Sequence, residues 1–144
     1  MSTVRFATFS VAGMFCGIDV TEVQEVLKYQ EMTPVPLAPG VIRGLINLRG
    51  QIVTAVDLRR RFDLPERAAD QKPMNMVLRC DGGAVSLLVD EIGDVVEVDE
   101  AEREPTPSTM DPLHREVVEA VFKLDGKLLL AIHTGKLMQL EVEV

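Results

Sequence analysis

Short apolar runs, punctuated by glycine and proline, recur along the whole chain. Val4 to Val11 alternates imperfectly, Ala12-Gly13 reads as a turn, and Met14 to Val20 reads as a returning strand, so the chain is expected to open on a hairpin. Between Thr21 and Leu27 the apolar residues Val23, Val26 and Leu27 fall at i, i+3 and i+4, which predicts a short amphipathic turn of helix with Asp19 or Thr21 as its cap. Pro34, Pro36 and Pro39 then forbid a central strand and favour an extended, stiff loop over Thr33–Gly40. Val41–Leu48 and Gln51–Leu58 flank Arg49-Gly50 as the arms of a second hairpin. Leu58–Leu64 is charged and reads as a short helix or turn. Polar Pro65–Pro73 reads as an exposed connection between two halves.

The second half repeats the style of the first. Met74–Cys80 and Ala84–Val89 flank a turn at Asp81-Gly82-Gly83, and Glu91–Val98 reads as a half-exposed strand. Asp99–Pro112 is acidic and proline-containing, hence a loop. Val117–Leu124, Asp125-Gly126 and Lys127–Ile132 form the plainest hairpin signal in the chain, and Thr134–Leu140 is expected to close it with a short helix. About nine or ten short strands with regular turn signals predict a sandwich or barrel, with no βαβ alternation to suggest a parallel nucleotide-binding sheet.

Composition narrows the class. Hydrophobic residues make up 47 % of the chain but aromatics only 4 %, with no Trp, so the core must be built from Val, Leu, Ile and Met, which suits strands. A net charge of −8 repels phosphate backbones, and the short basic cluster Arg59-Arg60-Arg61 does not reverse it, so nucleic acid is an improbable partner. Cys16 and Cys80 read as buried free thiols of a reducing cytoplasm. No signal segment and no apolar run of membrane-spanning length is present, so no direct membrane insertion is expected.

Catalytic chemistry finds little to work with. His114 and His133 stand alone; the first reads as exposed, the second as a hydrogen-bonded structural residue. Two His and two scattered Cys lack the close-spaced pairs of a zinc site. The acidic run Asp90, Glu91, Asp94, Glu97, Asp99, Glu100, Glu102 and Glu104 lacks calcium-loop spacing and reads as a solvated edge that guards a strand from unwanted pairing. No phosphate loop and no nucleophile elbow appears. No cofactor, no metal and no enzymatic activity is therefore expected. Contact apparatus is easier to find: Glu25 near the end of the predicted helix and Arg49 at a hairpin tip would pair if those elements pack together, although Arg49 alone reads more readily as an ordinary turn arginine.

The segment Gly44-Leu45-Ile46-Asn47-Leu48-Arg49-Gly50-Gln51-Ile52-Val53, continuing to Val56-Asp57-Leu58-Arg59, closely resembles the N-L-R-G core of CheW domains. Gly17-Ile18-Asp19-Val20 with Val23-Gln24-Glu25-Val26 is similar to the G-I-D and V-Q-E segments of that family, and Leu88-Val89-Asp90, Gly93-Asp94-Val95 and the Asp125-Gly126 hairpin follow in order. One departure is Thr54, where many members carry proline. The resemblance spans almost the entire chain. It implies a mainly β fold: two SH3-like five-stranded β-barrel subdomains, near 14–64 and 74–132, with terminal segments completing the barrels around a shared hydrophobic core and short helices, all within one domain over 1–144.

It also implies a non-catalytic adaptor that couples the cytoplasmic tips of methyl-accepting chemoreceptors to the regulatory domain of a CheA-type histidine kinase. Such an adaptor would be cytoplasmic and recruited to membrane-associated receptor arrays. The positions matching the receptor-facing groove and its supporting pair are Val23, Glu25, Val26, Asn47, Leu48, Arg49 and Gly50. Three rivals stay open at this point: the same role in a pathway controlling pili, gliding or development; a small β-barrel enzyme or ligand carrier; and a domain excised from a larger kinase or a response-regulator fusion, against which Met1 and the near-complete match weigh.

Overall fold

The computed structural model describes residues 2–80 and 83–139; the expected turn at Asp81-Gly82 and the end of the closing helix at Leu140 lie outside the described residues. The strands are β1 Thr3–Val11, β2 Met14–Asp19, β3 Val23–Leu27, β4 Ile42–Leu48, β5 Gln51–Asp57, β6 Met74–Cys80, β7 Gly83–Val89, β8 Glu91–Asp99, β9 Val118–Leu124 and β10 Lys127–Ile132. Three four-residue helices, α1 Leu58–Arg61, α2 Pro112–Arg115 and α3 Thr134–Leu137, punctuate them. The chain is mainly β, in two five-stranded sheets.

The sheets belong to two compact units, one of residues 1–20 and 93–144, the other of residues 21–92. In the second unit the strand order is β3-β6-β7-β5-β4, and in the first β8-β1-β2-β10-β9. Read from β3 and from β8 respectively, the two orders correspond, each with a parallel pair at the same place (β5 with β7, β10 with β2). Local detail repeats as well. The Asp57 N–H donates to Val41 O at 2.8 Å and the His133 N–H donates to Val117 O at 2.7 Å. Asp57 then caps α1 by accepting from the Arg59 N–H, as His133 caps α3 by accepting from the Lys136 N–H. In each sheet one outer strand is also bridged to the segment that follows the other outer strand, Leu45 of β4 to Thr33 after β3 in one and Val121 of β9 to Glu104 after β8 in the other. Such closure hides the strand edges that would otherwise invite pairing with other chains.

Each unit has its own apolar core. Ile46, Leu48, Val53, Ala55, Val77 and Leu88 form one, with Leu27, Met32 and Ala84 packed against it. Phe6, Val98, Phe122, Leu129 and Ala131 form the other, where the Phe6 and Phe122 rings meet at 5.5 Å between centroids.

Two expectations fail. The helix expected over Thr21–Val26 is a strand: only Val20–Glu22 coils, as a 3-10 turn, and Val23–Leu27 pairs antiparallel with β6. The i, i+3, i+4 pattern was too short to decide, and β-branched Val23 and Val26 suit a pleated surface better once β6 supplies ladder partners. Pro65–Pro73 does not divide two halves: β6 and β7 join β3–β5 in one sheet, and the segment runs inside the unit of residues 21–92. The stretch after the acidic loop also holds the unforeseen α2, whose cap is Asp111 with Pro112 in its first turn, an arrangement proline tolerates because its missing N–H is an orphan there anyway.

Candidate functional site

The β4–β5 hairpin turns through two residues, Arg49 and Gly50, with φ of 51° and 89°. Two successive positive φ values define the turn that matches the twist of the flanking strands. Glycine takes such a conformation at little cost, whereas an arginine there costs about 1 kcal/mol or more. The Asn47 side-chain oxygen offsets part of that by accepting from the Gly50 N–H at 2.9 Å. The turn thus presents the Arg49 side chain, which is 68 % exposed, to Glu25 on β3, and Nη2 of Arg49 donates to Oε2 of Glu25.

β3 and β4 are the two outer strands of their sheet. The Glu25–Arg49 pair therefore spans the seam between the sheet's edges, as the Thr33–Leu45 bridge does with N···O distances of 2.9 and 2.8 Å. Two large apolar side chains close to the pair in sequence are exposed. Val26 is 45 % exposed, and Ile52, which faces Asn47 across the hairpin, is 59 % exposed. Of the seven residues singled out in the sequence, Glu25, Val26, Asn47, Arg49 and Gly50 lie on or beside this surface. Val23 is half-buried at the start of β3, and Leu48 points into the core. Ile52 was missed, because in Gln51-Ile52-Val53 nothing local tells the outward isoleucine from the inward valine.

A second charged assembly was also missed, and it is buried. Asp57, whose side chain is 1 % exposed, accepts from Arg43 Nη1 at 3.0 Å, Arg67 Nη1 at 2.9 Å and the Arg59 N–H at 3.0 Å. Asp90 accepts from Arg59 Nε and Nη2 at 3.0 and 2.6 Å and from Arg67 Nε at 2.9 Å. Arg67 Nη2 also donates to Leu88 O at 3.2 Å, and Arg59 Nη1 donates to Pro65 O at 2.9 Å. The hydrogen bond to Asp90 and the surrounding carboxylates raise the Arg59 pKa against an opposing desolvation effect. Two carboxylates held by three arginines, of which Arg59 and Arg67 are also fixed by backbone oxygens, make a staple rather than a reactive centre. It ties β4, β5, α1, β7 and the 65–67 turn together.

No cluster of three or more His, Cys, Asp or Glu able to hold a metal occurs among the described residues. His133 caps α3 through Nδ1, and His114 lies half-buried in α2 rather than exposed in a loop. An open depression lined by Ala101, Glu102, Arg103, Glu104 and Lys123 has its cations engaged: Arg103 with Glu100 and Glu119, Lys123 with Glu104. Burial pushes the Cys16 thiol up to about 12, which keeps it protonated and unreactive at neutral pH. No helix among the described residues is long and apolar enough to cross a membrane.

Comparison with known proteins gives the family to which this β fold belongs. The family model described as the CheW-like domain matches residues 5–142. The "Chemotaxis protein CheW" of Bacillus subtilis (strain 168) is 31 % identical over 137 residues, covering 95 % of this chain and 88 % of that protein. Its counterpart of the same name in Klebsiella aerogenes is 29 % identical over 137 residues, covering 95 % and 82 %. Among solved structures, the scaffolding protein TtCheW from Thermoanaerobacter tengcongensis superposes with a TM-score of 0.86 at 30 % identity, covering 97 % of this chain and 95 % of that one. With the N-L-R-G turn, two five-stranded sheets and a family match that runs nearly end to end, the chain belongs to the CheW-like domain family.

Proposed function

We propose that this chain is a non-catalytic adaptor of chemotactic signalling that couples the cytoplasmic tips of methyl-accepting chemoreceptors to the regulatory domain of a CheA-type histidine kinase. It acts in the cytoplasm, at membrane-associated receptor arrays. Family membership supports the reading, as does the name of the structural relative, a scaffolding protein. The observation that carries it is the seam itself. A strained arginine turn is spent on an exposed ion pair, which contributes only about 0–1 kcal/mol to stability. Backbone strain concentrates where function requires it.

Chemically the face is amphipathic. Val26 and Ile52 offer apolar area, and the Glu25–Arg49 pair offers one acceptor and several donors in fixed positions. That suits the packing of a helical hairpin whose apolar stripe is flanked by polar residues. Nothing on the face activates a bond. The adaptor's work is to hold partners together, with affinity multiplied by the many copies of an array, so that a ligand biasing the receptor between two states biases the whole assembly.

The test is the binding of a soluble helical-hairpin fragment from a chemoreceptor tip encoded in the same genome. Arg49→Glu and Glu25→Lys should each weaken binding about tenfold or more while circular dichroism and the urea midpoint stay close to those of the native chain. If both variants bind as the native chain does, or if both are unfolded, the role assigned to this face is wrong.

A further inference from the structure

We infer that Gly44 and Thr33 are positioning residues for the partner face: together they set the width of the β3–β4 seam and so the meeting of Glu25 with Arg49. The inference rests on the reading of that face given above.

Gly44 is buried in β4, one residue before the bridge at Leu45. A Cβ at this position would stand 2.7 Å from Thr33 O, 3.1 Å from the Thr33 carbonyl carbon and 3.1 Å from Met32 Cβ. The nearest obstacle is a backbone oxygen that is already engaged, since Thr33 O accepts the Leu45 N–H at 2.8 Å while the Thr33 N–H donates to Leu45 O at 2.9 Å. Only glycine permits this approach, and any larger residue must push against the bridge itself.

The segment across the seam cannot easily retreat. Downstream of Thr33 the chain is stiffened by Pro34, Pro36 and Pro39, and its far end is held where the Ile42 N–H donates to Pro39 O at 2.9 Å and Arg60 Nη1 donates to Gly40 O at 2.8 Å. Upstream, Lys28 O accepts from Asn75 Nδ2 at 3.1 Å, and Asn75 in turn accepts from the buried Ser86 hydroxyl at 2.7 Å. Met32 packs on the core cluster that contains Ile46 and Leu48, the inward residues of the strand that carries Arg49. With both ends of the Thr33 side pinned, displacement passes to β4 and separates its tip from β3. Glu25 and Arg49 are joined across that seam only by their side chains, so the pair registers the change directly.

The experiment is a double-variant cycle on the whole chain, read as affinity for the same soluble receptor-tip fragment. In the native background, Arg49→Glu and Glu25→Lys are expected to be non-additive by a factor of about three or more, because the two residues touch. Gly44→Ala is expected to weaken binding about tenfold, and adding Arg49→Glu to it should then cost less than about twofold, since the pair it would break is already apart. A residue that merely stabilised the fold would leave that non-additivity intact.

Amide exchange should quicken at Thr33 and Leu45, while the amides of β9 and β10 keep their native shifts. Should Gly44→Ala fail to fold, Thr33→Pro replaces it in the same cycle, removing one hydrogen bond of the bridge without adding a Cβ at Gly44. If Gly44→Ala binds within about twofold of the native chain, or keeps the full Glu25–Arg49 non-additivity, while Arg49→Glu alone still weakens binding, the positioning role is refuted and the partner face survives. If Arg49→Glu alone has no effect on binding, the partner-face reading fails and this inference falls with it.

Discussion

Arg67→Met is the substitution most informative about what holds the unit of residues 21–92 together. The Arg67 side chain is 5 % exposed and reaches both aspartates of the buried staple, Asp57 at 2.9 Å and Asp90 at 2.9 Å, besides Leu88 O at 3.2 Å. Methionine keeps much of the aliphatic stem and removes the charge. Breaking a buried pair from one side costs about 3–5 kcal/mol, because the remaining charge is left without its partner in a poorly solvated site. Here each aspartate keeps another arginine, Asp57 keeping Arg43 and Asp90 keeping Arg59. The loss should therefore fall at the lower end, about 3 kcal/mol, or a fall in the melting temperature of roughly 10 °C.

The assay is urea denaturation followed by circular dichroism, with Arg49→Met as the control. Arg49 also pairs with a carboxylate, but at 68 % exposure its removal should cost no more than about 1 kcal/mol. Equal urea midpoints for the two variants would refute the claim that burial separates a staple from a contact pair.

Two further outcomes follow from the same physics. Cys16 is buried with its pKa raised to about 12 from 9.0, so the unfolded chain loses that proton first as pH rises; stability is intact below about pH 9 and should fall by about 1.4 kcal/mol per pH unit from there toward 12, and Cys16→Ala should remove that slope from the pH dependence of the urea midpoint. Leu37 is fully exposed at a φ of 64°, a conformation that costs a leucine about 1–2 kcal/mol, so Leu37→Gly should stabilise the chain by about 0.5 kcal/mol after the entropy of the added glycine is counted, read as a small rise in urea midpoint.

Strands bounded by two-residue turns were legible because their signals are local. Arg49-Gly50 and Asp125-Gly126 sit between apolar runs, and the hairpins form there. Val23–Leu27 was read as helical because five residues cannot separate the two periods, and its state is decided by β6, some fifty positions downstream. The polarity of Pro65–Pro73 suggested solvent, yet Arg67 is buried, since its charge is matched by Asp57 and Asp90, which are distant in sequence. The same limit applies at the site. Glu25, Arg49 and Asn47 carried their own signal through the family pattern, whereas the outward turn of Ile52 and the close approach at Gly44 depend on which strand lies opposite.

The central claim is that this chain joins receptor to kinase, and co-sedimentation measures that directly. Membranes bearing a chemoreceptor from the same genome are mixed with the cognate histidine kinase, with and without the chain, and pelleted. The kinase should enter the pellet only when the native chain is present, and should remain in the supernatant when Arg49→Glu replaces it. Kinase that pellets equally without the chain, or that stays in solution with the native chain present, would contradict the adaptor role.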